Sequence, residues 1–404
     1  MTTPDGTKPA VFGAETWPDL RARLSEALER EPREPTRIAT LRPLDGIRAN
    51  AREAQALADL AYDWSSPRAR LAREEVAEIA RYILRAPPDA PVAFTESGTE
   101  SVFLALKSAR EWAKVAGKGG VSGGGRPHIV IPRSAHACFD KAAHFLGLTV
   151  TRTDLDADRR ANPEAMAAAI RPETILLAAS APTDCHGICD PVPRIAALAE
   201  AHGLWCHVDA CLGAFLVPFL RAEGADLPEF EFSLSGVRSI SADPHKYGYA
   251  PTGISLLALR GAEDRSHLAF EFSGWDGPPL SATERFAGTR STAGLIGAWA
   301  TFRQLGEEGY RQRARCVREH MTLFAAMIEA TPGWRLLSRP EAGLVHFAPE
   351  SGDMALASAA LRAMGHKFNE TADPPGVVVC IGPEHDPADL PAYRAGLEAA
   401  IAPD

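Results

Sequence analysis

The sequence predicts an α/β protein with a mostly parallel central sheet, followed by a smaller α+β domain. Two observations lead to this fold class. From about Pro91 onward, short apolar runs alternate with stretches of helical periodicity, and strands that alternate with helices indicate a mostly parallel sheet. Toward the carboxyl end the pattern changes to long helical stretches around short strands, which is typical of an α+β unit.

Seven strands are predicted in the first part of the chain, each a short apolar run. They cover Val92–Phe94, His128–Pro132, Thr149–Thr153, Thr174–Ala179, Trp205–Ala210, Ser239–Ala242 and Gly253–Leu259. Between them, Ser101–Ala116 places its apolar residues on one face, which is the spacing of a half-buried helix. Arg194–Ala201 predicts a second, shorter helix.

The last part of the chain carries three predicted helices and two predicted strands. They are Ala300–Ala330, Met354–Met364 and Ala388–Ile401, with strands at Leu344–Phe347 and Gly376–Ile381. Domains average roughly 150 residues. We therefore divide the chain into an amino-terminal arm with one or two helices (1–60), a large domain (61–305) and a small domain (306–404). The glycine-rich stretch from Gly117 to Pro127 lacks the order of a phosphate-binding loop, so we expect a surface loop there.

Composition excludes several classes of protein. The net charge of -9 argues against a nucleic-acid partner, because phosphate backbones demand basic surfaces. The seven cysteines are odd in number and scattered, which favours a reducing cytoplasm over a disulfide framework. The sequence shows no signal peptide, and its longest apolar run is far shorter than the ~20 residues that span a bilayer. We expect no membrane anchor.

Three segments that follow predicted strands carry candidate chemistry, and ligands in open α/β sheets bind at such strand ends. The first runs from Thr95 to Ser101 and leads into a helix. Free backbone N–H groups at a helix start favour anions, and the hydroxyls of Ser97 and Thr99 add donors. A plain helix cap accounts for the same residues equally well.

The other two segments supply an acid and an amine. Asp209 ends an apolar strand, and a buried carboxylate there requires a partner such as a protonated ring nitrogen. Lys246 follows another strand and is flanked by His245 and two tyrosines. Lysine is scarce, with seven in the whole chain. Unlike arginine it can lose its proton and form a Schiff base, and desolvation or nearby cations favour that loss. An exposed lysine in a turn is the simpler alternative.

Together the three segments suit one cofactor. An anion loop, a carboxylate and an amine, in that order, match the phosphate, the pyridine nitrogen and the aldehyde of pyridoxal 5'-phosphate. We therefore predict that Lys246 carries this cofactor.

The run from His207 to Pro251, with the motifs HVDACLGAFLVPF and GVRSISADPHKYGYAP, resembles the sphingosine-1-phosphate lyase family. This family belongs to the fold-type I pyridoxal-phosphate decarboxylases and lyases. The resemblance extends from about Phe94 to Tyr310. It implies the fold-type I architecture, with helices on both faces of the sheet.

The resemblance also implies roles for single residues. Lys246 would form the internal aldimine and Asp209 would pair with the ring nitrogen. The cofactor phosphate would be held by Gly98, Thr99 and His245, with Ser97 in place of the family's first glycine. His136 matches a histidine that stacks on the ring. The segment Gly288-Thr289-Arg290 matches one that reaches the neighbouring subunit's cofactor, which implies a homodimer with shared active sites and cofactor contacts from Thr289.

At the substrate end the chain departs from the family. The lyases carry a lysine after HKYGYAP, where this chain has Thr252. That lysine is expected to bind a substrate phosphate. Thr252, Tyr249 and Arg290 are our candidate substrate contacts, and Arg290 could equally brace the dimer. The family's Asn-x-x-His pair upstream is also missing.

The resemblance favours cleavage of a Cα–Cβ bond in a β-hydroxy amine or amino acid, through an external aldimine, as in an aldehyde-lyase. Decarboxylation of an amino acid is the alternative, because the same cofactor supports both reactions. An aminotransferase or a non-catalytic relative is less favoured. The segment from Asp184 to Cys189 lacks a second ligand pair at zinc-like spacing, so we predict no metal.

Overall fold

A computed structural model describes residues 45–58, 64, 66–120, 125–272, 283–288, 290–363 and 368–401. The predicted arm (1–60) lies largely outside the described residues. Its last part forms α1, Asp45–Ala58.

Seven strands form the central sheet. They are β1 Val92–Thr95, β2 His128–Pro132, β3 Thr149–Thr153, β4 Thr174–Ser180, β5 Trp205–Asp209, β6 Val237–Ala242 and β7 Ser255–Leu259, in the order β1-β7-β6-β5-β4-β2-β3. Only β7 runs against its neighbours, β1 and β6, and the pairs among β2 to β6 are parallel. All seven predicted strands are confirmed to within two residues at each end.

The centre of the sheet is fully buried. Every residue of β4 is buried, as expected for a strand covered on both faces. Its Leu177 and Ala179 pack into one hydrophobic cluster, and Ile175 and Ala178 into another on the opposite face. The prediction of a mostly parallel sheet between helical layers is therefore confirmed.

Helices before, between and just after these strands form the two layers. They are α2 Pro67–Ile83, α3 Gly98–Val115, α4 Cys138–Leu146, α5 Pro163–Ala168, α6 Val192–Ala201, α7 Val217–Ala222 and α8 Ala262–Ser266. The predicted helix at Ser101 begins three residues earlier, because Ser97 is its N-cap. Helix α4 was not predicted; it has nine residues and ends at Gly147 in the left-handed conformation.

The carboxyl part contains a second, antiparallel sheet. Its strands are β8 Trp334–Leu336, β9 Leu344–Pro349, β10 Asn369–Ala372 and β11 Pro375–Cys380, in the order β10-β11-β9-β8. Helices α10 Met354–Ala363 and α11 Leu390–Ala400 accompany it. The long α9, Ala293–Glu329, is interrupted at Gly306, whose φ of 57° and ψ of -178° are not helical. The predicted domain boundary falls at this break and stays a prediction.

The two sheets are joined next to the predicted lysine. The buried Tyr247 places its hydroxyl 2.6 Å from the carbonyl oxygen of Gly343 and 3.0 Å from that of Ile381, both beside the second sheet. Tyr247 therefore fixes the turn that carries Lys246 to the second sheet. Among the helices in the described ranges, none is long and apolar enough to cross a membrane.

Candidate active site

A cavity of about 240 Å³ opens where β1, β5 and β6 end. Because these strands point the same way, the residues that follow them meet at one edge of the sheet. Its lining residues come from distant parts of the sequence: Ser97, Gly98, Thr99, His136, Cys138, Ser180, Pro182, Asp184, Asp209, Cys211, Leu212, Asp243, His245 and Lys246. Seven of the predicted site residues are among them.

The turn after β1 is both a helix cap and one wall of the cavity. Ser97 has extended backbone angles, and its hydroxyl accepts a hydrogen bond from the Glu100 N–H at 3.3 Å. A Cβ on Gly98 would lie 2.7 Å from Asp243 Oδ2 and 2.8 Å from Cys211 Sγ. Only glycine therefore allows the start of α3 to approach β6 this closely. The two interpretations of this segment, cap and anion site, are structurally compatible.

Lys246 lies beside a carboxylate that the sequence analysis did not single out. Its Nζ is 3.2 Å from Asp243 Oδ2. Asp243 is 1% exposed, and its Oδ1 has no hydrogen-bond partner among the described residues. Burial disfavours the lysine charge, but nearby groups, including the Asp243 and Asp209 carboxylates, outweigh burial, and the pKa of Lys246 is raised. The expected easy loss of its proton is therefore not what the protein alone provides.

Asp209 ends β5 at the floor of the cavity. Its Oδ1 accepts hydrogen bonds from the Cys211 backbone N–H and the Ser241 hydroxyl, each at 3.1 Å. Burial alone would raise the pKa of Asp209. The Lys246 ammonium and the hydrogen bond from Cys211 act against burial, and the pKa is lowered. Asp209 is therefore a carboxylate at neutral pH and can pair with a cation.

Two histidines flank the cavity with fixed ring orientations. His136 Nδ1 accepts a hydrogen bond from the Cys138 N–H at 3.1 Å. His245 Nδ1 donates to the carbonyl oxygen of Ile254 at 2.6 Å. The other nitrogen of His245, Nε2, lies 3.7 Å from Asp243 Oδ2.

Two cysteines line the same cavity. Burial, with help from the Asp209 carboxylate, raises the pKa of both Cys138 and Cys211, so each is a neutral thiol. The sequence gives only weak signals for these cavity-lining residues. Cys138 lies two residues after His136, Cys211 two after Asp209, and Asp243 three before Lys246.

The three predicted substrate residues do not line the cavity. Tyr249 is 2% exposed, and its ring stacks on that of Tyr310 at 6.2 Å between centroids. Thr252 is exposed beyond the turn. Arg290 lies 3.8 Å above the Trp64 ring and donates to the Phe94 carbonyl oxygen at 2.7 Å. Burial lowers the pKa of Arg290 to about 10.

Two further sequence predictions concern Thr289 and the loop from Asp184 to Cys189. Thr289 lies outside the described residues. In the loop, Asp184 lines the cavity, while His186 turns away and stacks on His346, with 3.3 Å between the two Nδ1 atoms. Within the described ranges, no group of three histidine, cysteine or acidic side chains could hold a metal.

Comparison with known sequences gives a consistent picture. The aminotransferase class-V family model matches residues 58–366. The chain is 36% identical over 293 residues to a sphingosine-1-phosphate lyase of Arabidopsis thaliana, covering 72% of this chain and 53% of the relative. It is 33% identical over 304 residues to a probable L-tyrosine/L-aspartate decarboxylase of Methanothermobacter thermautotrophicus, covering 74% and 79%. The chain thus spans about half the length of the curated lyases that it matches.

Comparison with solved structures agrees. A sphingosine-1-phosphate lyase of Burkholderia pseudomallei superposes with a TM-score of 0.89 at 30% identity, over 96% of this chain and 91% of the other. A glutamate decarboxylase of Lactobacillus brevis gives a TM-score of 0.81 at 20% identity, over 98% and 94%. The predicted fold-type I architecture and the resemblance to the lyases are confirmed.

Proposed function

Because the chain belongs to the class-V aminotransferase family, we propose that it is a pyridoxal-phosphate-dependent lyase that breaks a carbon–carbon bond in an amine or amino acid. One observation carries this proposal. An amine, a carboxylate and a glycine turn at a helix start, which lie far apart in sequence, meet in one cavity as Lys246, Asp209 and Gly98. These are the three kinds of group that pyridoxal phosphate requires.

The residues present fit the cofactor group by group. Free N–H groups at the start of α3, with Ser97, Thr99 and His245, suit a phosphate. Asp209 suits a protonated ring nitrogen, because it is ionised and faces the cavity. His136 lies in the same wall, where its ring can cover one face of a pyridine. When bound, the cofactor supplies an electron sink for the bond that breaks.

Lys246 has two tasks in this proposal. Its amine would hold the cofactor, and Nζ would hold a proton for transfer at the reacting carbon of an amine substrate. Asp243, 3.2 Å away, keeps that nitrogen oriented.

Cleavage of a Cα–Cβ bond is the reaction we favour. The relatives named sphingosine-1-phosphate lyases and the Burkholderia structure support it. A cavity of about 240 Å³ lies below the ~300–1,000 Å³ typical of sites for drug-sized ligands. A long apolar tail of a substrate would therefore extend beyond it.

Amino acid decarboxylation is the second candidate, and two observations favour it. The match to the archaeal decarboxylase covers 79% of that relative, a larger share than for the curated lyases. Thr252 stands where the lyases are expected to carry a phosphate-binding lysine, and it is exposed outside the cavity.

The cofactor is tested first. The protein is incubated with pyridoxal phosphate, reduced with borohydride, digested and analysed by mass spectrometry. We expect one reduced adduct per chain, on the peptide that contains Lys246, and none in Lys246→Ala. Lys141, elsewhere on the same domain, provides the matched control Lys141→Ala, which keeps the adduct. An adduct spread over several lysines would contradict the proposal.

The reaction is tested next, on the loaded protein. The cofactor's absorption band is titrated with phosphoethanolamine and with ethanolamine, and products from β-hydroxy amines and amino acids are assayed for aldehyde and for CO2. A shift with phosphoethanolamine alone and release of aldehyde support a lyase of phosphorylated amino alcohols. CO2 from an amino acid, with no aldehyde, replaces it with the decarboxylase.

We further propose a cytoplasmic homodimer with shared sites. Phe270, Phe272 and Phe286 are 59%, 51% and 76% exposed, and exposed aromatic groups of this kind mark interfaces. Thr289, which follows Phe286 in sequence, would contribute to the partner's site. Sedimentation of the wild-type protein and Phe286→Glu tests the surface. A wild-type monomer would rule it out.

A further inference from the structure

We infer that four buried residues, Trp205, Ser239, His207 and Ser241, form a one-directional hydrogen-bond chain that holds Asp209 in position for the cofactor's ring nitrogen. The inference rests on the proposed function, because the role it gives to the hydrogen-bond chain is to position Asp209 for the cofactor. The four residues are each 0% exposed. In this role they are positioning residues, because only Asp209 lines the cavity.

The register of two parallel strands builds the chain. Every second residue of a strand lies on the same face. Residues 205, 207 and 209 therefore share one face of β5, and residues 239 and 241 share one face of β6. Facing pairs are His207 with Ser239 and Asp209 with Ser241. Their side chains therefore lie side by side on one face of the sheet. They lead from the interior of the sheet to the edge where the cavity opens.

The far end fixes the direction of the first bond only. An indole N–H can only donate, so Trp205 Nε1 donates to Ser239 Oγ at 2.8 Å. Ser239 has one hydroxyl proton, and His207 Nδ1 lies 2.8 Å from its oxygen. The hydroxyl oxygen has a second lone pair beside the one that Trp205 engages, so Ser239 can donate to an unprotonated Nδ1 or accept a proton from Nδ1.

The active-site end decides between the two tautomers. A carboxylate can only accept, so Ser241 donates its one proton to Asp209 Oδ1 at 3.1 Å. The remaining contact, 3.4 Å between Ser241 Oγ and His207 Nε2, then needs a proton on Nε2. The active-site end therefore places the proton of a neutral His207 on Nε2, and Nδ1 then accepts from Ser239.

Burial is consistent with a neutral ring. It lowers the pKa of His207 to about 4, although the nearby Asp209 carboxylate acts in the other direction. Each bond of the chain has its positive end toward Asp209, and bonds arranged head to tail polarise one another. The chain thereby orients the carboxylate and helps to keep it ionised.

A second buried histidine provides an internal control. His128 on β2 also lies between two hydroxyls, with Nδ1 and Nε2 each 2.8 Å from a threonine, Thr174 and Thr151. Neither threonine lines the cavity. Changes at His128 and its partners thus report on the loss of a buried hydrogen bond without the link to Asp209.

The tautomer is measured first, by nitrogen NMR of protein with labelled histidine, without cofactor. The protein has 12 histidines, and the signal that disappears in His207→Gln is that of His207. We expect a neutral ring protonated on Nε2. A ring protonated on Nδ1, or a charged one at neutral pH, overturns the inference. This result does not depend on whether pyridoxal phosphate binds.

The link to Asp209 is measured by the dissociation constant of pyridoxal phosphate. Ser241→Ala removes a hydrogen bond to a charged group and should weaken binding about tenfold or more. Ser239→Ala should weaken it about threefold. Because the bonds act in series, Ser239→Ala should add nothing in the Ser241→Ala background. Thr174→Ala should leave the constant unchanged.

Each outcome decides a separate question. If the two serine effects add independently, or Thr174→Ala weakens binding as much as Ser239→Ala, the chain does not act through Asp209. If the wild-type protein does not bind pyridoxal phosphate, the proposed function fails, while the tautomer still reports on the chain itself.

Discussion

The predicted cofactor end and the predicted substrate end of the site differ in how their residues are assembled. At the cofactor end, seven residues predicted from the sequence line one cavity. At the substrate end, Tyr249, Thr252 and Arg290 all lie away from it. The cofactor end is built from strand ends, so the topology of a parallel sheet brings its members together. The substrate end depends on turns and packing that follow no such rule.

Tyr249 illustrates the difference. It is three residues from Lys246, yet its backbone has a φ of 58°. This left-handed residue reverses the chain within the turn. The ring is directed into the core against Tyr310 instead of toward the cavity. Proximity in sequence to Lys246, the predicted cofactor lysine, is therefore a poor guide to the side chain's direction.

The largest effect at the cofactor end is expected for Asp209→Asn. The amide cannot supply the negative charge that a ring nitrogen pairs with, so turnover of the loaded enzyme should fall by about 100-fold to 1,000-fold. Steady-state kinetics measure it. Glu231→Gln is the matched control: this buried carboxylate pairs with Arg221 at 2.8 Å outside the cavity, so its loss should lower stability and leave turnover intact. Equal turnover losses in both variants would count against a role for Asp209.

Gly98→Ala is expected to have the next largest effect. Its new methyl group would meet both Asp243 and Cys211 at under 3 Å, and overpacking of this kind costs about 1–3 kcal/mol. Affinity for pyridoxal phosphate should fall about tenfold, as measured by absorbance titration of the cofactor-free protein. Gly309→Ala, on a half-buried part of α9 away from the cavity, should not change the affinity. Unchanged affinity in Gly98→Ala would mean that α3 can shift without disturbing the phosphate site.

Asp243→Asn tests the ion pair that the sequence did not reveal. The carboxylate raises the pKa of Lys246, so its removal lowers that pKa and frees the amine at lower pH. The midpoint for cofactor capture, measured as borohydride-stable adduct against pH, should move down by about one unit or more. Asp184→Asn should cause a smaller move in the same direction, because Asp184 is the weaker influence on Lys246. A midpoint that stays fixed or rises would contradict this assignment.

How much the sequence predicts follows from these physical differences. Strands such as β4 are continuous apolar runs, so their positions could be predicted closely. Helix α4 was not predicted, because nine residues between two strands give too little periodicity. The pairing of Asp243 with Lys246 needs the turn geometry, and the chain behind Asp209 needs the register of β5 on β6. Both depend on contacts that are not encoded in any local pattern.

Tyr249→Phe is expected to have the smallest effect, and it tests the substrate end directly. The Tyr249 hydroxyl is buried with no hydrogen-bond partner among the described residues. Its removal should therefore leave turnover unchanged and stability equal or higher by up to about 1 kcal/mol. Tyr247→Phe, two residues away, loses the contacts to Gly343 and Ile381 and should cost about 1–3 kcal/mol. Chemical denaturation and turnover of both variants measure this. A large fall in turnover for Tyr249→Phe with unchanged stability would return Tyr249 to the substrate site, since only a contact made during the reaction could produce it.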